Sequence, residues 1–346
     1  MQVAASPAFR NRTSNPYNSL LSHALLARGI TVSELDARAL LASRSSRHPD
    51  IVHLHWPESA LNKPRRAAAA GRSVELLVQL ARLRRRGCKV VWTAHNVRSH
   101  FQRYPRAERL WWRAFVRLLD GWTSLSDTAA EVAVQTHPRL GRLPHAVIAH
   151  GHFREAYADV SRESARADLA VSGDEQLVLF VGRVKPYKGV PELVAAFHAL
   201  DRPHARLLVA GRCDEPALRD ELSSVADPRI ELRLEEIAEG DMARLLRAAD
   251  LVVLPFRSIL NSGSLLLALS FDARVLCRTG GAIGELATAL PDWISTYTGD
   301  LTPDLLAQAL DAPRPVGRPD LDAFEWSAIA ERTAHFYAEV LHDGAR

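Results

Sequence analysis

The chain has 346 residues, 47% of them hydrophobic, more than one core usually takes, so two domains are expected. No apolar run approaches the ~18 to 20 residues of a membrane-spanning helix, and Met1-Gln-Val-Ala-Ala-Ser-Pro7 lacks the charged and apolar regions of a signal peptide. Cys88, Cys213 and Cys277 lie far apart and fit neither a disulfide framework nor zinc-ligand spacing, so a cytoplasmic setting is expected.

In chain order, strand-like apolar runs alternate with helical ones. The first half reads as strand 2–5, helix 16–28, strand 51–55, helix 73–85, strand 89–93, helix 106–119, then strands 122–125 and 146–149. The second half repeats the plan with strands 177–181, 206–210, 229–234, 250–254, 274–277 and a weak 293–297. This alternation predicts an α/β protein of two doubly wound, Rossmann-like domains, with ligands held in a cleft at the carboxyl ends of the strands. The expected boundaries are 1–150 for the first domain, 151–325 for the second, and a helix from 326 that crosses back to the first. No Gly-x-Gly-x-x-Gly turn follows the first strand, where Val3-Ala-Ala-Ser-Pro7 stands, which argues against a dinucleotide oxidoreductase or epimerase.

Charge divides the halves. Residues 1–150 carry 23 Lys+Arg against 9 Asp+Glu, and the rest carry 21 against 31. Arginines cluster at 82–86 and along 103–117 beside Trp111 and Trp112. This suggests contact with an anionic membrane surface or a phosphorylated acceptor, or else simply solvated helices. No nucleic-acid-binding motif accompanies the charge.

The most informative segment is Val181-Gly-Arg-Val-Lys-Pro-Tyr-Lys-Gly189, a glycine-punctuated turn between a strand and a helix. Gly182, Arg183 and Lys188 are expected to present two cations to a diphosphate. A second anion site is expected where strand 250–254 leads into Asn261, Ser262, Gly263 and Ser264 at a helix start. Either an ordinary capped helix or a phosphate cradle fits those four residues alone.

These segments, with Ala210-Gly211, Ala248-Ala-Asp-Leu-Val-Val-Leu-Pro255 and Gly280-Gly281, resemble in order and spacing the donor domain of GT-B glycosyltransferases close to family 4. His53-Leu-His-Trp-Pro-Glu58, Trp92-Thr-Ala-His-Asn-Val97 and Gly151-His-Phe-Arg154 resemble the first half of bacterial sugar transferases, among them mannosyltransferases of exopolysaccharide assembly. The resemblance implies a hexosyltransferase with a nucleotide-diphospho-sugar donor, GDP-mannose by preference, and no divalent metal or other cofactor. It implies a glycan, glycolipid or small-molecule acceptor bound in the first domain. Arg183 and Lys188 would then neutralise the diphosphate, Ser262 to Ser264 would donate to its distal phosphate, and the base would pack near Leu234 and Glu236.

One departure is notable. The family usually places two glutamates eight apart, where this chain has Ile259 and Leu267. A non-catalytic nucleotide-sugar-binding or partner subunit is therefore the competing expectation. Phe271-Asp-Ala-Arg-Val275 also stands where relatives carry glycine and proline.

Catalytic candidates are His95, Glu58 and Asp127, each just past a strand end. An inverting transfer needs a base, which His95 or Glu58 can supply, whereas a retaining one needs none. Glu58 and Asp127 also suit helix caps, and His95 equally suits a cap on the next segment. His53 and His55 share a strand face, but no third ligand is in register, so no metal site is expected.

Overall fold

The computed structural model describes residues 1–13, 15–43, 48–63, 65–98, 104–238, 240–257 and 263–343. The chain divides into two compact units, Met1–Gly151 with Phe324–Arg346, and His152–Ala323.

In the first unit, strands β1 (Gln2–Ser6), β2 (Thr31–Glu34), β3 (Ile51–His55), β4 (Lys89–Thr93), β5 (Gly121–Ser124) and β6 (His145–Val147) form one parallel sheet. Its order is β2-β1-β3-β4-β5-β6, which reverses direction between β1 and β3. The helices are α1 (Tyr17–Ala27), α2 (Ala37–Ala42), α3 (Arg66–Arg85), α4 (Pro105–Val116) and α5 (Asp127–Thr136). All five residues of β3 are buried, as a parallel strand covered on both faces requires. Strand β2 escapes the periodicity reading because it is a polar edge strand, Thr-Val-Ser-Glu, with only Val32 buried.

Helix α4 explains the tryptophan pair. Trp111, Trp112, Phe115 and Val116 are buried while Arg106, Arg109 and Arg113 are exposed. Trp111 Nε1 donates to the Ser73 carbonyl at 3.2 Å, and Trp112 packs on Trp92 in the core. The two indoles are therefore core anchors and do not themselves mark a membrane-facing surface.

In the second unit, β7 (Gln176–Val181), β8 (Ala205–Ala210), β9 (Ile230–Arg233), β10 (Leu251–Leu254), β11 (Arg274–Arg278) and β12 (Ile294–Tyr297) form a second parallel sheet. The order is β9-β8-β7-β10-β11-β12, with the reversal between β7 and β10. Helices α6 (Arg162–Asp168), α7 (Val190–His198), α8 (Pro216–Ser223), α9 (Asp241–Ala248), α10 (Gly263–Ser270), α11 (Ala282–Ala289) and α12 (Pro303–Asp311) connect these strands. The unusual Phe271–Val275 stretch has a local account. Asp272 takes a left-handed turn, φ 58°, a conformation that aspartate tolerates. Its carboxylate is held by Arg247, and by Arg318 at 3.4 Å.

The last helix, α13 (Trp326–Asp343), belongs to the first unit. Trp326 meets Tyr17 of α1, ring centroids 5.5 Å apart, and the buried Tyr337 hydroxyl bonds His53 Nδ1 at 2.6 Å. No helix among the described residues is long and apolar enough to cross a membrane.

Candidate active site

The second unit's sheet reverses at β7/β10, where open α/β sheets bind ligands. The segments leaving β7, β8 and β10 are knitted together there by backbone. Gly182 N donates to Ala210 O at 2.9 Å, and Arg257 N donates to Tyr187 O at 2.9 Å. Gly211 has φ 141°, and a Cβ there would stand 2.1 Å from the Gly182 carbonyl oxygen. Gly189 has φ 65°, and its Cβ would stand 2.2 Å from the Pro255 carbonyl. Both positions exclude side chains by space and by conformation. Gly211→Ala is accordingly expected to cost at least about 2 kcal/mol, read as a lower urea midpoint for the unit.

This frame holds Lys188. Its Nζ lies 4.9 Å from the Phe256 ring centroid and 6.0 Å from that of Phe180. It sits 3.4 Å from where a Gly182 Cβ would be, so the ammonium rests over the turn. Burial, and then the neighbouring Arg183, push its pKa down to about 8. Among the described residues no carboxylate lies within ion-pair distance of Lys188 or Arg183. The adjacent cations differ in kind. Lys185 has Asp214 and Glu215 at 3.5 Å each, Arg257 has Glu192 at 2.6 Å, and Arg212 has Asp214 at 2.5 Å. A desolvated cation kept without a counter-ion is costly unless an anionic ligand supplies one.

Other expected donor residues fall into three groups. Gly263 and Ser264 open α10, the next helix in the chain after β10, whereas Asn261, Ser262 and Ile259 lie outside the described residues. Leu267 is half-buried on α10. Leu234 and Glu236 follow β9 at the sheet edge, two strands from β7. Leu234 is buried, and Glu236 is exposed and reaches Arg212 at 3.6 Å. Phe256 and Glu192 were not read as site residues. The signal for Phe256 was present, an aromatic just past a buried strand at the switch point.

The first unit carries a different chemistry. A cavity of 700 Å³ opens beside the β1/β3 reversal, lined among others by Arg10, Asn11, His55, Trp56 and Lys63. Trp56 has φ 49°, a strained conformation for an aromatic residue, and stacks on His95 with centroids 4.2 Å apart. His95 Nε2 shares a hydrogen bond with His55 Nδ1 at 3.0 Å, and Tyr17 meets the same ring edge-on. His53 continues the network, bonding Thr93 Oγ1 at 2.8 Å, which in turn bonds Thr123. Burial pushes His53 down to about 3 and His150 to about 4, and holds His55 and His95 well below the ordinary imidazole range. The four buried rings are neutral at physiological pH, and His55 is the one that lines the cavity.

Glu58 sits on the single turn after β3, Pro57–Ala60, and is 5% exposed. Its Oε1 accepts from Asn96 Nδ2 at 3.2 Å, and its Oε2 has no partner among the described residues. Burial is the main reason its pKa rises to about 7, with Glu108 adding to the rise. Pro57 and Ser59, its neighbours, line the cavity. Asp127 is the exposed first residue of α5, where it complements the helix dipole, and Ser126 supplies the cap to Ala129 N. Asn96, Trp56 and His55 joined the site only in three dimensions.

Comparisons with known proteins bear on the family and the fold. The family described as Glycosyl transferases group 1 matches residues 175–311, nearly all of the second unit from β7 onward. Two GDP-mannose:glycolipid 4-beta-D-mannosyltransferases of Xanthomonas campestris pv. campestris are 30% and 31% identical to this chain, over 96% of it and 90% of their own length. A sucrose-phosphate synthase from Thermosynechococcus elongatus shares the fold with TM-score 0.71 and 17% identity, over 99% of this chain and all of its own. Anabaena HepE, solved with UDP-glucose, aligns with TM-score 0.65 and 14% identity over 99% of both chains. The two sheets, the switch-point lysine turn and a curated relative matched along nearly the whole chain lead to one conclusion: the chain belongs to the nucleotide-sugar-dependent glycosyltransferases of the GT-B fold, close to family 4.

Proposed function

We propose that this enzyme transfers mannose from GDP-mannose to a hydroxyl of a glycolipid, with inversion at the anomeric carbon. The observation that carries the donor half is Lys188, a desolvated cation without a carboxylate at the sheet reversal. Similarity to the two Xanthomonas transferases supports the choice of mannose and of a glycolipid. The sugar of GDP-mannose is α-linked, so a β-linked product like that in the relatives' name requires attack from the opposite face. The acceptor oxygen bonds to C1 as the C1–O bond to phosphate breaks, and GDP departs with the electron pair. Lys188 and Arg183 meet the growing phosphate charge in place of a metal. The acceptor proton passes to Glu58, whose pKa near 7 suits a base better than the strongly depressed His95. His95 then positions the Trp56 turn that carries Glu58. The basic first unit is the part that meets an anionic membrane surface, where a glycolipid acceptor resides.

Melting the protein with GDP, UDP, ADP or dTDP tests the donor reading. GDP is expected to stabilise it by about 3 kcal/mol at a hundredfold excess over Kd, and more than the other three. Mannosyl transfer followed by mass spectrometry, with and without EDTA, tests the rest. A larger response to UDP than to GDP would replace the donor, and loss of transfer in EDTA would remove the metal-free scheme.

A further inference from the structure

Arg257 and Glu192 are donor-side groups that the transfer chemistry above leaves unused. Arg257 directly follows Phe256, whose ring lies 4.9 Å from the Lys188 ammonium, and its backbone N donates to Tyr187 O at 2.9 Å. The arginine is thereby fixed beside the lysine turn, just past the carboxyl end of β10. Its side chain meets Glu192 along one edge only. Nε and Nη2 both donate to Glu192 Oε1, at 2.7 and 2.6 Å. Nη1, on the other edge, has no partner among the described residues, and the side chain is 56% exposed.

Glu192 is built as the fixed member of the pair. It stands in the first turn of α7, where the helix dipole favours a carboxylate, and is 21% exposed. Its Oε2 is buried without a hydrogen bond and lies 3.6 Å from Nη2 of Arg278, the last residue of β11. Gly189 makes the room, since a Cβ there would stand 3.2 Å from that same oxygen. An ordinary surface ion pair leaves both partners in water and contributes little. Here the acid is largely covered and shared by two arginines from the neighbouring strands β10 and β11, while the guanidinium it grips keeps its outer edge in solvent.

A carboxylate behind an arginine fixes the plane of the guanidinium and aims its remaining donors, so little side-chain freedom is lost when an anion arrives. We infer that Arg257 is a third phosphate-binding cation of the donor site, meeting the distal phosphate through Nη1, and that Glu192 is its positioning residue. The inference rests on the proposed nucleotide-sugar donor and adds a residue to that site beyond Arg183 and Lys188. With the base on the β8–β9 side, near Leu234 and Glu236, the phosphate that reaches β10 is the distal one.

Titration calorimetry of the full chain with GDP, GMP, UDP and UMP tests this, because the ratio of diphosphate to monophosphate affinity reads the second phosphate alone. Taken within one base, that ratio does not depend on which base the site prefers, so an error in the GDP-mannose reading is distinguishable from an error here. The wild type is expected to bind GDP at least about a hundredfold more tightly than GMP. Arg257→Ala is expected to lower that ratio about tenfold while keeping the GMP dissociation constant within about twofold. Arg257→Lys keeps the charge but cannot meet Glu192 and a phosphate with one planar fork, so a loss of about threefold is expected. Glu192→Gln is expected to lower the ratio about threefold, and to add nothing in an Arg257→Ala background, because it acts through that side chain. The GMP constant reports an intact site in each variant, which separates lost positioning from lost folding. A wild-type ratio in Arg257→Ala, an equal loss of GMP and GDP affinity, or a Glu192→Gln loss that persists without Arg257 would each overturn the proposal. Binding of none of the four nucleotides by the wild type would remove the donor reading and this inference with it.

Discussion

Lys188→Ala is expected to lower kcat/KM for the nucleotide sugar by about a thousandfold while leaving the fold intact. The magnitude follows from removing a preorganised charge at the point where the leaving diphosphate gains negative charge; a single neutral donor in such a position is already worth about 10²- to 10³-fold. The fold should tolerate the change, because Lys188 has no ion-pair partner to orphan among the described residues, its ammonium lying near the rings of Phe256 and Phe180 and over Gly182. Removing a desolvated, unpaired cation is expected to leave the melting temperature unchanged or raise it. Lys188→Arg keeps the charge but not the compact ammonium over Gly182, so partial rescue is expected. The pH profile supplies an independent reading. Because burial and Arg183 bring the lysine to about 8, raising the pH through that value removes the charge that binds the diphosphate. In the wild type, kcat/KM for the donor should fall above about pH 8, and this limb should vanish in Lys188→Ala. Near-wild-type turnover in the alanine variant would dismiss the donor assignment.

The donor side was legible in the sequence because its requirements are backbone requirements. Gly189 and Gly211 each mark a place where a side chain cannot stand, Gly182 has a φ of 119° that other residues rarely adopt, and such glycines punctuate the sequence visibly. Arg183 and Lys188 were equally visible. What the string could not show is why Lys188 differs from Lys185, three residues earlier in the same turn. That difference lies in Asp214 and Glu215, which neutralise Lys185 from beyond β8, a distance in sequence that no local pattern spans.

The acceptor side was less legible because it is assembled from loops. His55 ends β3, Trp56 and Glu58 follow it, His95 and Asn96 follow β4, and Tyr17 comes from α1. Each was visible as a polar or aromatic residue at a strand end or, for Tyr17, a helix start, but the ranking among them depends on burial. A histidine near a strand end looks like the natural base until burial takes the basicity of His53, His55, His95 and His150 alike. The same burial that disqualifies His95 qualifies Glu58, since desolvation lowers a histidine and raises a carboxyl. The tryptophan pair failed for the converse reason. Exposure on a helix is decided by which face meets the sheet, and on α4 that face carries Trp111 and Trp112.

Glu58→Gln is expected to reduce kcat by about 10²- to 10⁴-fold, the range for loss of a positioned general base. Glutamine keeps the shape and can still meet Asn96, so the loss reports the proton and not the packing. The base must be ionised to act. With the carboxyl raised to about 7, wild-type kcat/KM for the acceptor should climb as pH rises through 7, and Glu58→Gln should be flat there. Together with the lysine limb above 8, the wild type is expected to show a narrow bell whose two apparent values belong to the free enzyme. Stability moves oppositely. Glu58 has a folded pKa above the ordinary glutamate value, so wild-type stability declines as pH rises towards 7 and stays reduced above it, by an amount on the order of 3 kcal/mol. Glu58→Gln carries no such penalty, so at pH 8 to 9 it should resist urea better than the wild type, and the advantage should fade below about pH 5. Activity lost with stability gained, both tied to one buried carboxylate, is the signature of a strained catalytic base. A residue that merely supports the β3 turn would lose both together, and that outcome would return the base role to His95.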